Sequence, residues 1–385
     1  MRYDAPSMRK TGVYPKNQFG LRAMLHLLLR SKLSFYCEGK VWNIRHVPAR
    51  RKWNLLKAGV DHLLRGERVW SQPTGLMIEP TDLCNLNCTG CWTNDPAHKA
   101  QSRYMTLEMF RRIIDELGDY LTVIWLWGWG EPLLNKKVYD MIRLARAKDI
   151  VVICSTNGNV KMDDAELEEL VRCGLSQLIV AVDGLDQETY GKYRIGGRLE
   201  LVLDNIRRLV ATKQRLGLSS PLINMRMLVM RHNQHQVDEF LETGKKLGVD
   251  IVSYKTLCDY RKGGRNPDFP TLAQFQRYAM NETSDQVTDI PRPFYCYRPW
   301  RRAHVFADGV IVPCEFDLER NHILARLDDP TPLTECWNNA TARAFRRQYK
   351  TDIDSIPYCG NCPYKNQVIW DPTAQSHNLT DAARA

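Results

Sequence analysis

Residues 75–92 read GLMIEPTDLCNLNCTGCW. A mainly apolar run over 75–79 predicts a buried strand, Pro80, Thr81 and Asp82 end it, and cysteines follow at 84, 88 and 91 with the spacing CxxxCxxC. Outward from this point the pattern alternates: helix 107–117, strand 123–127, helix 137–147, strand 150–154, helix 164–172, strand 178–182, helix 199–215, strand 223–229, helix 236–247 and strand 250–255. Such alternation implies a parallel sheet. With no dinucleotide glycine fingerprint after the first strand, six units fit an α/β fold of the partial (β/α)6 TIM-like barrel type better than a Rossmann sheet. Chemistry is then expected at the C-terminal strand ends. Polar residues collect there: Gly128 to Glu131, Ser155 to Gly158, Asp183, Arg231 to Asn233 and Thr256 to Asp259.

Of 385 residues 44% are hydrophobic and 25% charged, which excludes disordered and collagenous classes. Neither an apolar run of about 18 residues nor a signal peptide is visible, so a cytoplasmic location is expected. Twelve cysteines in a reducing compartment read as metal ligands or catalytic groups before disulfides.

Charge is unevenly placed. Residues 1–70 hold 15 Lys or Arg against four acids, whereas the other 315 hold 39 against 40. Residues 1–74 therefore read as a basic helical N-terminal extension with an anionic partner. Within it, 19–36 reads as a helix with one polar stripe, Arg22, His26, Arg30 and Ser34, and a second helix follows Arg50, Arg51 and Lys52 and ends at Gly66. The first suits a lipid headgroup interface at the inner membrane face or docking on the chain's own body equally well. Nucleic acid is not expected, because no zinc-finger, helix-turn-helix or RNP signature accompanies the charge. The remaining boundaries read 75–260 for the barrel, 261–292 for a connector, 293–365 for a cysteine-bearing unit with a hairpin at Asp308 and Gly309, and 366–385 for a loosely ordered tail.

Three thiolates from one short loop can hold three irons of a [4Fe-4S] cube and leave the fourth iron open to a small chelating molecule. The alternative is structural zinc, with His98 as local fourth ligand. A second set, Cys296, Cys314, Cys359 and Cys362, supplies four thiolates, which saturate either a cluster or a zinc ion. Cys154 and Cys173 read as buried small hydrophobes, and Cys258 stands at the exit of the last barrel strand.

EPTDLCNLNCTGCW at 79–92, WGWGEPLLN at 127–135, STNG at 155–158 and VDGLDQETYGKYR at 182–194 together resemble the radical S-adenosylmethionine (radical SAM) superfamily. The resemblance implies reductive cleavage of SAM to a 5′-deoxyadenosyl radical, a flavodoxin or ferredoxin as electron donor, and a binding role for Gly128, Gly130, Glu131, Asn157, Asp183 and Arg194. Two positions depart from the family: Trp129 stands where another glycine is usual, and Gly90 where an aromatic residue is common. PFYCYRPW at 293–300, the Asp-Gly turn before VIVPCE and the closing CxxC resemble a SPASM or Twitch extension. No CxxxxxCxxxC follows, so one auxiliary [4Fe-4S] cluster, as in the Twitch type, is the better match.

An auxiliary cluster suits a substrate radical that must lose an electron, which implies an oxidoreductase of dehydrogenase type or a rearrangement. Glu315, Asp317, Lys255 and Asp259 are candidate bases by position. Trp125, Trp127 and Trp129 alternate and suit one wall of a cavity. The basic segment favours a phosphorylated, sugar or lipid-linked small-molecule substrate. A peptide-modifying maturase of the RiPP type is the runner-up, set back because 1–74 shows no hairpin, and a non-catalytic zinc protein binding nucleic acid is a third reading.

Overall fold

In the computed structural model, residues 21–94, 103–258, 266–278, 296–360, 362–365 and 373–382 are described. The first helix is shorter than its apolar pattern predicts. Helix α1 spans Leu21–Arg30, Ser31 turns the chain at φ 50°, and strand β1, Leu33–Cys37, follows. The LSFYC run carries a period of two that the longer helical pattern concealed: Leu33, Phe35 and Cys37 are buried while Ser34 is exposed. Glu38 and Gly39, at φ 51° and 88°, form the two-residue turn into β2, Lys40–Ile44, and the pair is an antiparallel hairpin. The expectation that 1–74 lacks a hairpin is thereby corrected. Helix α2, Ala49–Leu64, ends two residues before the expected terminator Gly66, because Arg65 takes the left-handed conformation.

The barrel elements follow the sequence closely. They are β3, Gly75–Ile78; α3, Leu107–Leu117; β4, Val123–Leu126; α4, Val138–Arg146; β5, Val151–Thr156; α5, Asp164–Arg172; β6, Gln177–Ala181; α6, Gln187–Tyr193; α7, Leu199–Arg215; β7, Leu222–Val229; α8, Val237–Leu247; and β8, Ile251–Thr256. Short helix α6 escaped the periodicity because seven residues make only two turns.

Beyond the barrel come β9, Arg302–Val305; β10, Val310–Val312; β11, Ala325–Arg326; α9, Leu333–Cys336; α10, Ala340–Thr351; α11, Pro357–Gly360; and β12, Thr373–Asn378. Six strands, β3 to β8, run parallel in chain order. The two edges are not joined to each other. Strand β9 continues the sheet parallel to β3, and β12 pairs antiparallel with β8, so the arrangement is an open ten-stranded barrel-like sheet. The tail expected to be loose thus supplies a strand that covers an otherwise bare edge.

Helices α3 to α5 and α7 bury their apolar faces against one side of this sheet. The inner side is filled from the N terminus: Leu27, Leu33, Phe35, Cys37 and Leu55 form a second core with Val123, Val151, Ile153 and Ile179. Period-two strands present one residue set to each side, so the hairpin plugs the barrel instead of standing apart from it.

Candidate active site

The cysteine loop leaves β3 and is clamped by residues far away in sequence. Glu131 donates its backbone N–H to the Leu83 carbonyl at 2.8 Å, and Asn87 and Thr89 donate to the carbonyls of Ile195 and Tyr193. Gly130 lies so close that a Cβ there would sit 2.0 Å from the Thr81 carbonyl oxygen. Gly128 is held as tightly, with its missing Cβ 2.5 Å from the Glu79 carboxylate. Gly90 adopts φ 71°, which an aromatic residue would enter only under strain and which accounts for that departure from the family pattern.

Side chains from three further strand ends converge on the thiols. Asn157 Nδ2 lies 3.7 Å from Cys84 Sγ, and Arg194 reaches Cys88 Sγ at 3.6 Å. Arg194 is fixed by Asp183, whose one carboxylate oxygen accepts from Arg194 Nε at 2.6 Å and the other from the Leu228 N–H at 2.7 Å. The Glu131 carboxylate accepts from the Thr156 hydroxyl and the Asn157 N–H, each at 2.7 Å, and from Leu133 N–H at 3.1 Å. Burial nevertheless pushes its pKa up. Thus Gly128, Gly130, Glu131, Asn157, Asp183 and Arg194 surround one loop, although 110 residues separate the first cysteine from the last of them.

Glu79 was not singled out from the sequence. Its carboxylate accepts from the Trp129 N–H at 2.8 Å and the Ala307 N–H at 3.3 Å, so one acid ties the Gly-rich turn to the C-terminal unit, and burial raises it to about 7. A second tie runs through Arg103, which bridges Asp82 and Asp308 at 2.8 and 2.7 Å.

A cavity of about 490 Å³ opens beside the turn. Trp125, Trp127 and Trp129 wall it as their alternation suggested, and all four cysteines of the second set, 296, 314, 359 and 362, line it together with Cys258. The hairpin tip, Tyr36, Cys37 and Glu38, forms another wall. Glu38 pairs with Arg226 at 2.6 Å, and its backbone carbonyl accepts from Gln177 and Asn224. Burial opposes its ionisation, but Arg226, Lys255 and Arg302 hold its pKa below the ordinary value. As one of four acids in a basic segment, Glu38 gave no signal of this role in the sequence.

The candidate bases separate clearly. Glu315 lies between Arg298 and Arg302 at 2.9 and 2.8 Å; against the effect of burial they drive its pKa down to about 2, which makes it a poor proton acceptor. Asp317 is wholly buried and accepts from the backbone of Asn321 and His322, so it shapes a turn and does not face the cavity. Lys255 does line the cavity; burial lowers its pKa and Glu38 opposes that. Asp259 and His98 lie outside the described residues, as do 1–20 and most of the expected connector.

An open parallel barrel whose strand-end turns gather on a three-thiol loop, beside a four-thiol wall, defines an iron-sulfur class of protein. The radical SAM superfamily pattern matches residues 78–252, and that of the SPASM iron-sulfur cluster-binding domain matches 296–363. The chain belongs to the radical SAM superfamily and carries a C-terminal SPASM unit, and these families imply [4Fe-4S] clusters and SAM as its cofactors. Among curated relatives, the tungsten-containing aldehyde ferredoxin oxidoreductase cofactor-modifying protein of Pyrococcus furiosus is 27% identical over 47% of this chain and 51% of its own length. The PqqA peptide cyclase of Granulibacter bethesdensis is 23% identical over 77% of this chain and 81% of its own. This chain therefore spans about half of the first relative and most of the second. SuiB of Streptococcus suis, bound to its precursor peptide SuiA, shares the fold at a TM-score of 0.58, with 13% identity over 91% of this chain and 82% of that one.

The residues present fit such cofactors. Burial pushes the Cys84 thiol up to about 11 and raises Cys88, and it lifts Cys362 to about 12, so thiolates here call for a cationic metal centre. Arg298 Nη1 lies 3.4 Å from Cys314 Sγ, a donor suited to a thiolate. Among the described residues no group of three or more His, Cys, Asp or Glu side chains is arranged for a single metal ion, so the fit is judged against a cluster, whose irons take one thiolate each. No helix among the described residues is long and apolar enough to cross a membrane.

Proposed function

We propose that the chain binds a [4Fe-4S] cluster through Cys84, Cys88 and Cys91, cleaves SAM there, and removes a hydrogen atom from a substrate in the cavity, working at a membrane face through its N-terminal segment. When bound, the cluster supplies one electron to SAM and thereby the 5′-deoxyadenosyl radical. Gly128, Gly130 and Glu131 offer backbone to the methionine end of SAM, with Asn157, Asp183 and Arg194 around it. Cys296, Cys314, Cys359 and Cys362 would hold one auxiliary cluster that accepts an electron from the substrate, which makes the reaction an oxidation of dehydrogenase type. One observation carries this reading: a single cavity is lined by Trp127 to Trp129 of the turn and by all four C-terminal cysteines. The tryptophans keep water from a reactive carbon, and Lys255, Arg277 and Arg298 suit an anionic, phosphorylated or lipid-linked substrate.

Anaerobic reconstitution followed by reduction with SAM tests it. About eight irons and release of 5′-deoxyadenosine are expected. Full iron loading without that product overturns the reading, and about four irons removes the auxiliary cluster from it. A peptide substrate is the second reading, favoured by the cyclase alignment over 81% of that protein and by the hairpin now found near the N terminus. Incubation with a peptide encoded beside the gene, followed by mass spectrometry, distinguishes the two.

A further inference from the structure

Among the described residues thirteen large hydrophobic side chains are exposed, and nine lie between positions 25 and 70. Helix α2 explains why. One side faces the body, with Asn54, Leu55, Ala58 and Asp61 buried, while Trp53, Lys57, Val60 and Leu64 recur every three to four residues on the other, a stripe roughly 16 Å long. Helix α1 packs on α2 and adds Leu28 and Leu29, the latter 76% exposed; Leu63 beside the stripe is 77% exposed. Patches of this kind on a soluble protein mark an interaction site.

Charge selects the occupant. The segment has an excess of basic residues, and its described acids are buried or paired: Glu38 points into the barrel against Arg226, Asp61 is buried under the N–H groups of Trp70 and Ser71, and Glu67, at the surface, is paired with Arg347 of α10 at 2.8 Å. Arg30, Lys32, Arg45, Arg50, Lys57 and Arg68 remain exposed. Two copies facing each other through this patch would set like charges together, and nucleic acid offers nothing to exposed leucines. Tryptophan and leucine flanked by lysine and arginine suit the headgroup layer of an anionic bilayer.

We infer that α1 and α2 form a docking surface for an anionic phospholipid bilayer, with Leu29, Trp53, Val60, Leu63 and Leu64 entering the headgroup layer. This names the partner in the membrane-face part of the proposed function and is independent of its iron-sulfur part: a chain that releases 5′-deoxyadenosine yet ignores bilayers overturns this inference alone. The same unit plugs the barrel with its other side: Arg51 of α2 donates to the carbonyls of Gly118, Lys148 and Asp149 in the loops before β4 and β5, so docking turns the N-terminal ends of these strands toward the membrane plane.

Removing 1–71 would also remove the plug, so point variants of the full holoenzyme are the test. Flotation is measured with vesicles of phosphatidylglycerol and phosphatidylcholine, and of phosphatidylcholine alone. Binding to the anionic vesicles, weakened by salt, is expected, with at least a tenfold loss for Leu63→Glu/Leu64→Glu and for Lys57→Glu. Leu218→Glu, at an exposed site elsewhere, should bind as the wild type does. No flotation, equal flotation of patch variants and wild type, or a dimer that the patch variants dissolve without any vesicle binding would each overturn the assignment.

Discussion

Glu79 couples the Gly-rich turn to the C-terminal unit, and its protonation offers a quantitative check. The carboxyl is buried and raised from 4.5 to about 7. An unfolded chain releases this proton near 4.5, whereas the folded chain keeps it until about 7. Between those values the folded state binds more protons, so stability falls as pH rises through the window and levels off above it. At ~1.4 kcal/mol per pH unit, the gap makes about 3 kcal/mol. Glu79→Gln cannot titrate; its amide oxygen can still accept from Trp129, but its NH2 meets the Ala307 N–H, a fixed loss of about 1–3 kcal/mol. Urea unfolding of cluster-free protein at about pH 5 and about pH 8 should therefore show the wild type losing about 3 kcal/mol more than the variant over that interval. An infrared band from the protonated carboxyl, present in the wild type and bleached near pH 7, gives a direct readout. Parallel pH curves for the two proteins, or a carboxyl ionised already at pH 5, would refute the assignment of Glu79 as a buried, largely desolvated tie.

Gly130→Ala places a methyl 2.0 Å from the Thr81 carbonyl, so the turn must leave the cysteine loop, and SAM binding by the reconstituted enzyme should fall at least tenfold, as read by the change in its electron paramagnetic resonance spectrum. Glu38→Ala leaves Arg226 buried without its partner and should cost about 3–5 kcal/mol in urea unfolding, while Glu38→Leu/Arg226→Met should cost less than the single change. Because Glu38 has a lowered pKa, its contribution is present above the ordinary carboxylate range and is lost as pH falls through its folded value. Arg194→Met strands the Asp183 carboxylate beside Cys88 and should lower iron content after reconstitution by up to about four irons, measured by iron and sulfide analysis. Glu315→Gln should leave the acidic limb of a pH–rate profile, where a general base becomes protonated, in place, since the native carboxyl titrates at about 2.

Much of the architecture was legible before any coordinates. Eleven barrel elements from β3 to β8 appear at or near their expected bounds, because each strand and helix carries its own hydrophobic pattern over four or more residues. The thiols at 84, 88 and 91 were legible as a set because they are neighbours in the chain, and Asn157 and Asp183 because each follows a strand and so falls at the same end of the barrel; Arg194, which follows α6, was legible only through the family resemblance. The hairpin at 33–44 was hidden because LSFYC satisfies two periods at once within a leucine-rich run.

The sequence by itself determined the parallel strand-helix order, the three-thiol loop at a strand end and the four-thiol set after it. Only the tertiary structure decided that the basic extension plugs the barrel, that β9 and β12 extend the sheet at its two edges, and that Glu38 and Arg226, 188 residues apart, meet at 2.6 Å. The division has a physical cause. Local periodicity follows from the repeat of one helix or strand, whereas an ion pair, a sheet edge or a cavity wall depends on which distant surfaces are buried against each other.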